Sequence, residues 1–132
     1  IDIDKFKNIN DKYGHLGGDH TIRAIANTLS EYVKRPTDLV SRFGGEEFAI
    51  ILPNTDIVGA LDVAERIRVA ISKNVINFQA SEIKVTASVG VAVISEEDNR
   101  YEDLISNTDI ALYDAKASGR NIVCVAKQLI NV

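Results

Sequence analysis

The stretch Arg42-Phe43-Gly44-Gly45-Glu46-Glu47-Phe48-Ala49-Ile50-Ile51-Leu52 decides how the rest of the chain is read. Paired glycines between two apolar segments supply the positive φ values of a tight β-hairpin. Residues 38–43 and 47–52 are therefore expected to be two strands around Gly44-Gly45. Phe48 to Leu52 is apolar throughout, which suits a central strand covered on both faces, and Pro53 and Asn54 close it. Glu46 and Glu47 follow directly on the turn. A hairpin gains nothing from adjacent like charges, which repel unless a cation compensates them. For this pair taken alone, a solvated acidic turn is the plainer reading.

Outward from the hairpin, residues 1–4 read as the end of a strand. Asp4 is expected to cap a short helix that runs to Tyr13 and stops at Gly14. A longer helix is expected from near Asp19, with Ile22, Ile25, Ala26, Leu29 and Val33 on one face, ended by Pro36. A helix over residues 56–73 turns Ala60, Ala64, Ile67 and Ile71 inward. An edge hairpin near residues 77–83 precedes a strand over 84–94, in which Val85, Ala87, Val89, Val91 and Val93 share a face. A last helix runs from Tyr101 to Ala117, Gly119 stops it, and Ile122 to Val125 form a final strand. This order implies an α+β chain: a mixed or antiparallel sheet with helices over it.

Composition limits the function. The chain has 132 residues, one domain's worth, with 45% apolar and 26% charged residues, an ordinary globular balance rather than a disordered one. No apolar run approaches the roughly 18 residues of a membrane span, and no signal peptide is evident. A start in mid-pattern without Met reads as a piece of a larger protein. The net charge of -4 argues against a general nucleic-acid surface; a polyphosphate would need a metal ion or a local basic cluster. The one cysteine, Cys124, excludes an internal disulfide and a Cys-rich zinc site and is compatible with a cytoplasmic setting.

Asp2 and Asp4, at the end of the first strand, are candidate partners for the glutamates. Hard carboxylate oxygens suit Mg²⁺, which is usually held by one or two carboxylates together with substrate phosphates. The alternative is that Asp4 is only a helix cap and Asp2 a surface charge. His15, in a glycine-rich loop, and His20, beside a helix start, read as structural. No Walker-type phosphate loop is present.

Gly44-Gly45-Glu46-Glu47-Phe48 resembles the signature of the bacterial GGDEF family, the diguanylate cyclases, in its Gly-Gly-Glu-Glu-Phe form. The resemblance extends to Asp2-Ile3-Asp4-Lys5-Phe6-Lys7, Asn10-Asp11, Gly14-His15 and Gly18-Asp19. It continues through Ala87-Ser88-Val89-Gly90-Val91, Ala111-Leu112-Tyr113-Asp114-Ala115-Lys116 and Gly119-Arg120-Asn121. It implies a central, mostly antiparallel five-stranded sheet flanked by helices, similar to palm-like nucleotide cyclases. Family members usually carry a further helix and a complete first strand before this point.

The resemblance also implies roles. Asp2, Glu46 and the backbone carbonyl of Ile3 would bind Mg²⁺, with Mn²⁺ as an alternative. Glu47 would share the metals or help deprotonate the attacking hydroxyl; the two glutamates are not separated. Asn10 and Asp19 would read guanine, because a carboxylate accepts from its N1–H and N2–H donors; a helix N-cap is the alternative for Asp19. Phe6 and Gly45 would approach the nucleotide through their backbones, Lys116 and Arg120 would contact the triphosphate, and Lys7 would stabilise charge on it. A favourable charge pair at a helix C-terminus is the plainer reading of Lys116 and Arg120. Arg35 and Asp38, of the form Arg-x-x-Asp, with Arg66, would form an inhibitory site for the product, cyclic di-GMP. The activity implied is condensation of two GTP molecules in a homodimer, under a sensory or regulatory domain of the parent protein that controls signal transduction. A non-catalytic module that binds GTP or cyclic di-GMP is the second reading, and a cyclase acting within one GTP the third.

Overall fold

The structure is a computed structural model that describes residues 1–95 and 100–127. Its elements are β1 (Asp2–Ile3), α1 (Phe6–Tyr32), β2 (Leu39–Gly44), β3 (Glu47–Ile51), α2 (Ile57–Lys73), β4 (Ile76–Phe78), β5 (Ser81–Ile83), β6 (Ala87–Val91), α3 (Tyr101–Ala117) and β7 (Val123–Val125). Five strands form one sheet in the order β2-β3-β1-β6-β7. All neighbours are antiparallel except β6 and β7. The α+β architecture implied by the element order is the one observed.

The shortest strand lies at the centre. Asp2 of β1 stands opposite Glu47 of β3 on one side and Ser88 of β6 on the other. The hairpin turns at Gly45, whose φ of +44° favours glycine,. The Arg42 guanidinium braces the turn by donating from Nε to the Gly45 carbonyl at 2.9 Å.

The core takes Ile22, Ile25 and Leu29 from α1, Ile67 and Ile71 from α2, and Ile3, Phe48 and Ala87 from the sheet. Each of the Ile, Leu and Phe side chains contributes on the order of 1.5–3 kcal/mol when fully buried. Ala87 faces this cluster, and Gly90, of opposite parity along β6, meets α3,. A Cβ on Gly90 would lie 2.5 Å from the backbone of both Thr108 and Leu112. Glycine there lets α3 approach β6 backbone to backbone. Asp56 caps α2 by accepting from the Gly59 amide at 2.8 Å,.

Several expectations are corrected. Asp4 does not cap α1: the N-cap position belongs to Lys5, in a left-handed conformation with φ 53°, and no side chain caps that end. The second helical segment does not wait for Asp19. Gly14, with φ 74° and ψ 175°, breaks the helix at a single residue, and helix resumes at once. Asp19 is therefore interior to a helix rather than an N-cap, and the stretch from Gly14 to Gly18, expected as a loop, is helical apart from that break.

The strand expected over 84–94 is limited to Ala87–Val91, because β7 pairs only across Val89–Val91 and β1 only across Ala87 and Ser88. The hairpin of β4 and β5 makes a separate two-stranded sheet rather than an edge of the main one. β3 is not covered on both faces along its length, since Ile51 is 57% exposed at the end that pairs with edge strand β2.

Candidate functional site

The site grows from the centre of the sheet. Asp2 is buried at 6% exposure, an expensive place for a carboxylate unless it is paired. Its Oδ2 accepts from Lys116 Nζ at 2.6 Å, joining β1 to the last turn of α3 across 114 residues. The close α3–β6 approach at Gly90 is what brings Lys116 within reach. Directly across the strand pair from Asp2 lies Glu47. Burial, and then the neighbouring Asp2 charge, push the Glu47 carboxyl above its ordinary value, while Lys116 pulls it back. Glu46 turns at the same place: its carbonyl accepts from the Ile3 amide at 3.2 Å. The hairpin thus brings Asp2, Ile3, Glu46 and Glu47 to one edge of the glycine turn.

This donor set fits a small hard cation. The Asp2 charge beside the Glu47 carboxyl helps raise the proton affinity of Glu47, a cost that a cation removes,. The Lys116 ammonium already stands in for one on Asp2. Among the described residues there is no group of three or more His, Cys, Asp or Glu side chains that could hold a metal by itself. A site of this kind needs phosphate oxygens to complete the shell, as Mg²⁺ sites that act on nucleotides do.

A second cluster lies on α1. Phe6 opens the helix, so its amide is among the free donors that make a helix start receptive to anions. Lys7 is exposed on the same turn. The helix break at Gly14 bends Asn10 back toward Gly18: a Cβ on Gly18 would lie 1.9 Å from Asn10 Oδ1 and 3.1 Å from the Phe6 ring. The amide of Asn10 is therefore seated beside the residue that precedes Asp19, whose side chain is exposed.

Residues 1–122 match the family described as "Diguanylate cyclase, GGDEF domain". This chain belongs to the GGDEF domain family. Among its relatives, Diguanylate cyclase A of Treponema denticola is 40% identical over 127 residues, which is 96% of this chain and 34% of that protein. The GGDEF domain of DgcB from Caulobacter crescentus, solved in complex with c-di-GMP, superposes with a TM-score of 0.90 at 33% identity, covering 96% of this chain and 75% of that one. The active GGEEF domain of a diguanylate cyclase from Vibrio cholerae does so with a TM-score of 0.87 at 35% identity, covering 96% and 80%. The chain spans about a third or less of the length of the curated relatives it matches.

Away from the turn, this GGDEF domain holds Arg35 and Asp38 as a closed pair. Arg35 Nε donates to Asp38 Oδ1 at 2.9 Å, and Nη2 donates to the Pro53 carbonyl at 3.1 Å and to Thr55 Oγ1 at 2.7 Å. The hydrogen bond from Arg35 holds the Asp38 carboxyl below its ordinary value. The Asp38 side chain is 4% exposed and that of Arg35 49%, so the open face of this site is guanidinium. Arg66 is not joined to the pair; it bridges to Asp62 at 3.1 Å on the exposed side of α2.

Sequence reasoning passed over Thr86, Ser88, Asn121 and Arg68. The first three surround Asp4: Thr86 Oγ1 and Ser88 Oγ each donate to it at 2.6 Å and the Asn121 amide at 3.0 Å. Arg68 Nη1 donates to Asn121 Oδ1 at 2.8 Å. A signal was present in the strand over 84–94, where Thr86 and Ser88 alternate with apolar neighbours. Polar residues on a strand face that an aspartate can reach are candidate donors, but nothing local names the acceptor.

Proposed function

We propose that this domain is the catalytic unit of a diguanylate cyclase, condensing two GTP molecules into cyclic di-GMP with release of two pyrophosphates. The observation that carries the reading is the facing of Asp2 and Glu47 across β1 and β3, with Lys116 paired to Asp2, at the glycine turn. That arrangement holds negative charge in a place where a cation and phosphate oxygens complete it.

Asp2, Glu46 and the Ile3 carbonyl are the residues to hold Mg²⁺, or Mn²⁺ in its place. When bound, a divalent ion neutralises phosphate oxygens and lowers the pKa of the attacking hydroxyl. The chain's own residues do the rest. Asn10 and Asp19 orient the base, the carboxylate accepting from guanine donors that adenine lacks. The Phe6 amide and the Gly45 backbone lie along the phosphates, and Lys116, Arg120 and Lys7 balance their charge. Glu47, the carboxyl with raised proton affinity, is suited to accept the proton of the 3′-hydroxyl or to share the cation. The 3′-oxygen of one GTP bonds to the α-phosphorus of the other, the bond to the β-phosphate oxygen breaks, and pyrophosphate leaves; the same step in the opposite sense closes the ring.

One domain presents one nucleotide, so two must face each other about a two-fold axis. Holding the two substrates together removes an entropic barrier of on the order of 7–11 kcal/mol at best. Arg35 and Asp38, with Arg66 from a second position, form the product-inhibitory site, whose exposed guanidinium suits a phosphate or a guanine edge. Control by a sensory or regulatory domain of the parent protein follows from the need for apposition.

The test is incubation of the purified protein with GTP and Mg²⁺ and identification of the nucleotide product. Cyclic di-GMP with pyrophosphate supports the reading. Nucleotide binding without turnover establishes a GTP- or product-binding module instead, and 3′,5′-cyclic GMP an intramolecular cyclase.

A further inference from the structure

Two aspartates stand two positions apart on and after β1, and their surroundings differ in kind. Asp2 faces a cation and another carboxylate. Asp4, 8% exposed, accepts from three donors among the described residues: Ser88 Oγ on its Oδ1, and Thr86 Oγ1 and the Asn121 amide on its Oδ2. Its own amide donates to the Thr86 carbonyl at 2.9 Å. Each oxygen of this carboxylate thus accepts at least one hydrogen bond from the protein,.

The third of those donors belongs to a strained turn. Gly119, Arg120 and Asn121 all have positive φ, at 106°, 65° and 48°. Glycine accepts this freely and asparagine tolerates it, whereas arginine does so only when the surroundings impose it. The restraints are visible on both sides of Arg120. Its own amide donates to the Ala115 carbonyl at 3.1 Å, closing the end of α3. The next amide, that of Asn121, is taken by Asp4, and the Asn121 side chain by Arg68 of α2.

We propose that Asp4 is a positioning residue for nucleotide binding: its buried carboxylate pins the Asn121 amide and so holds the Gly119–Asn121 turn in the left-handed conformation that presents Arg120 to the phosphates. The proposal rests on the diguanylate cyclase reading given above. Asp4 touches no substrate; it acts through Arg120. It also ties together the β1–α1 junction, β6 and the α3–β7 turn, the segments that carry Asp2, Ser88 and Arg120.

The chemistry of the neighbours sets the expected ranking of variants. In Asp4→Asn the amide oxygen can keep the Asn121 N–H, and the amide nitrogen can donate to the Ser88 hydroxyl, which turns to accept. In Asp4→Ala the Asn121 amide has no partner, and a backbone N–H cannot turn. We expect Asp4→Ala to weaken binding of a non-hydrolysable GTP analogue and raise KM for GTP about tenfold, the scale of one charge-assisted hydrogen bond, with kcat less affected. Asp4→Asn should recover most of that loss.

A purely structural aspartate would give losses that add to those of Arg120→Ala. If Asp4 acts through Arg120, Asp4→Ala causes no further loss of affinity in the Arg120→Ala background. Additive losses, or unchanged affinity in a folded Asp4→Ala protein, overturn the proposal. Should Asp4→Ala fail to fold, hydrogen exchange of the wild-type protein decides. The Asn121 amide should be protected like the β6 amides, and free exchange there overturns the pinning. Wild-type protein that binds no GTP would instead sink the cyclase reading, and the role of Asp4 with it.

Discussion

The Lys116 ammonium lies 2.6 Å from Oδ2 of Asp2, tying the end of α3 to the central strand at the point where that strand faces Glu47. The lysine thus serves Asp2 as a counter-ion, and the proposed function gives it a second duty as a phosphate ligand. On the proposed function the two duties are compatible: with Asp2 holding a divalent ion, the Lys116 ammonium would be free to turn toward the phosphates.

Replacing Lys116 by Met keeps much of the apolar stem and removes the charge. The pair is intermediate between buried and exposed, with side chains 9% and 35% accessible. The expected loss is about 1–2 kcal/mol, below that of a fully buried pair broken on one side and above that of a surface pair. Melting without divalent ions should show the lower Tm, and added Mg²⁺ should recover part of it. An unchanged Tm in metal-free buffer would show that the pair contributes nothing.

Glu46→Gln preserves shape and removes a charge from the glycine turn without touching the Ile3 amide to Glu46 carbonyl bond, which is backbone. The circular dichroism spectrum and melting curve should match the wild type, while cyclic di-GMP formation falls below detection. Normal turnover would exclude Glu46 from holding the metal.

The Arg35–Asp38 pair predicts a pH effect. Because the Asp38 carboxyl is held below its ordinary value of 3.8 by Arg35, the pair's contribution is present above that value. It is lost as pH falls through the lower, folded-state value. Asp38→Asn should therefore be less stable than wild type at neutral pH, and the difference should shrink in melts taken progressively below about pH 4. Arg35→Ala should weaken inhibition by added cyclic di-GMP and leave the initial rate in product-free assays unchanged. Unaltered inhibition would remove the second site.

Gly90→Ala tests how the site is assembled. The new methyl would meet backbone atoms of Thr108 and Leu112 at 2.5 Å, and neither helix nor strand can yield by turning a side chain. Overpacking of this kind costs about 1–3 kcal/mol. The displacement of α3 should also move Lys116, so KM for GTP should rise along with the fall in Tm. A fall in Tm with KM unchanged would mean that α3 re-seats without disturbing the Asp2 contact.

Much was legible from local sequence because its physics is local. The glycine pair dictated a hairpin, the 3.6-residue spacing of Ile22, Ile25 and Leu29 dictated a buried helical face, and ordered motifs placed Asp2, Glu46, Glu47 and Lys116 in one family pattern. The errors have local causes too. Gly14 has the local signature of a stop yet is a break inside one helix, since a lone left-handed residue does not say whether helix resumes. Asp4 has the local signature of a cap because Asp before a helix usually is one.

What no window of sequence could supply was the identity of long-range partners. The register of a two-residue central strand sets Asp2 against Glu47, and the missing side chain of Gly90 sets the distance of Lys116. Asp4 has donors 82, 84 and 117 residues away along the chain. A buried carboxylate must find partners somewhere, but which ones is decided only when the sheet closes and brings distant segments into contact.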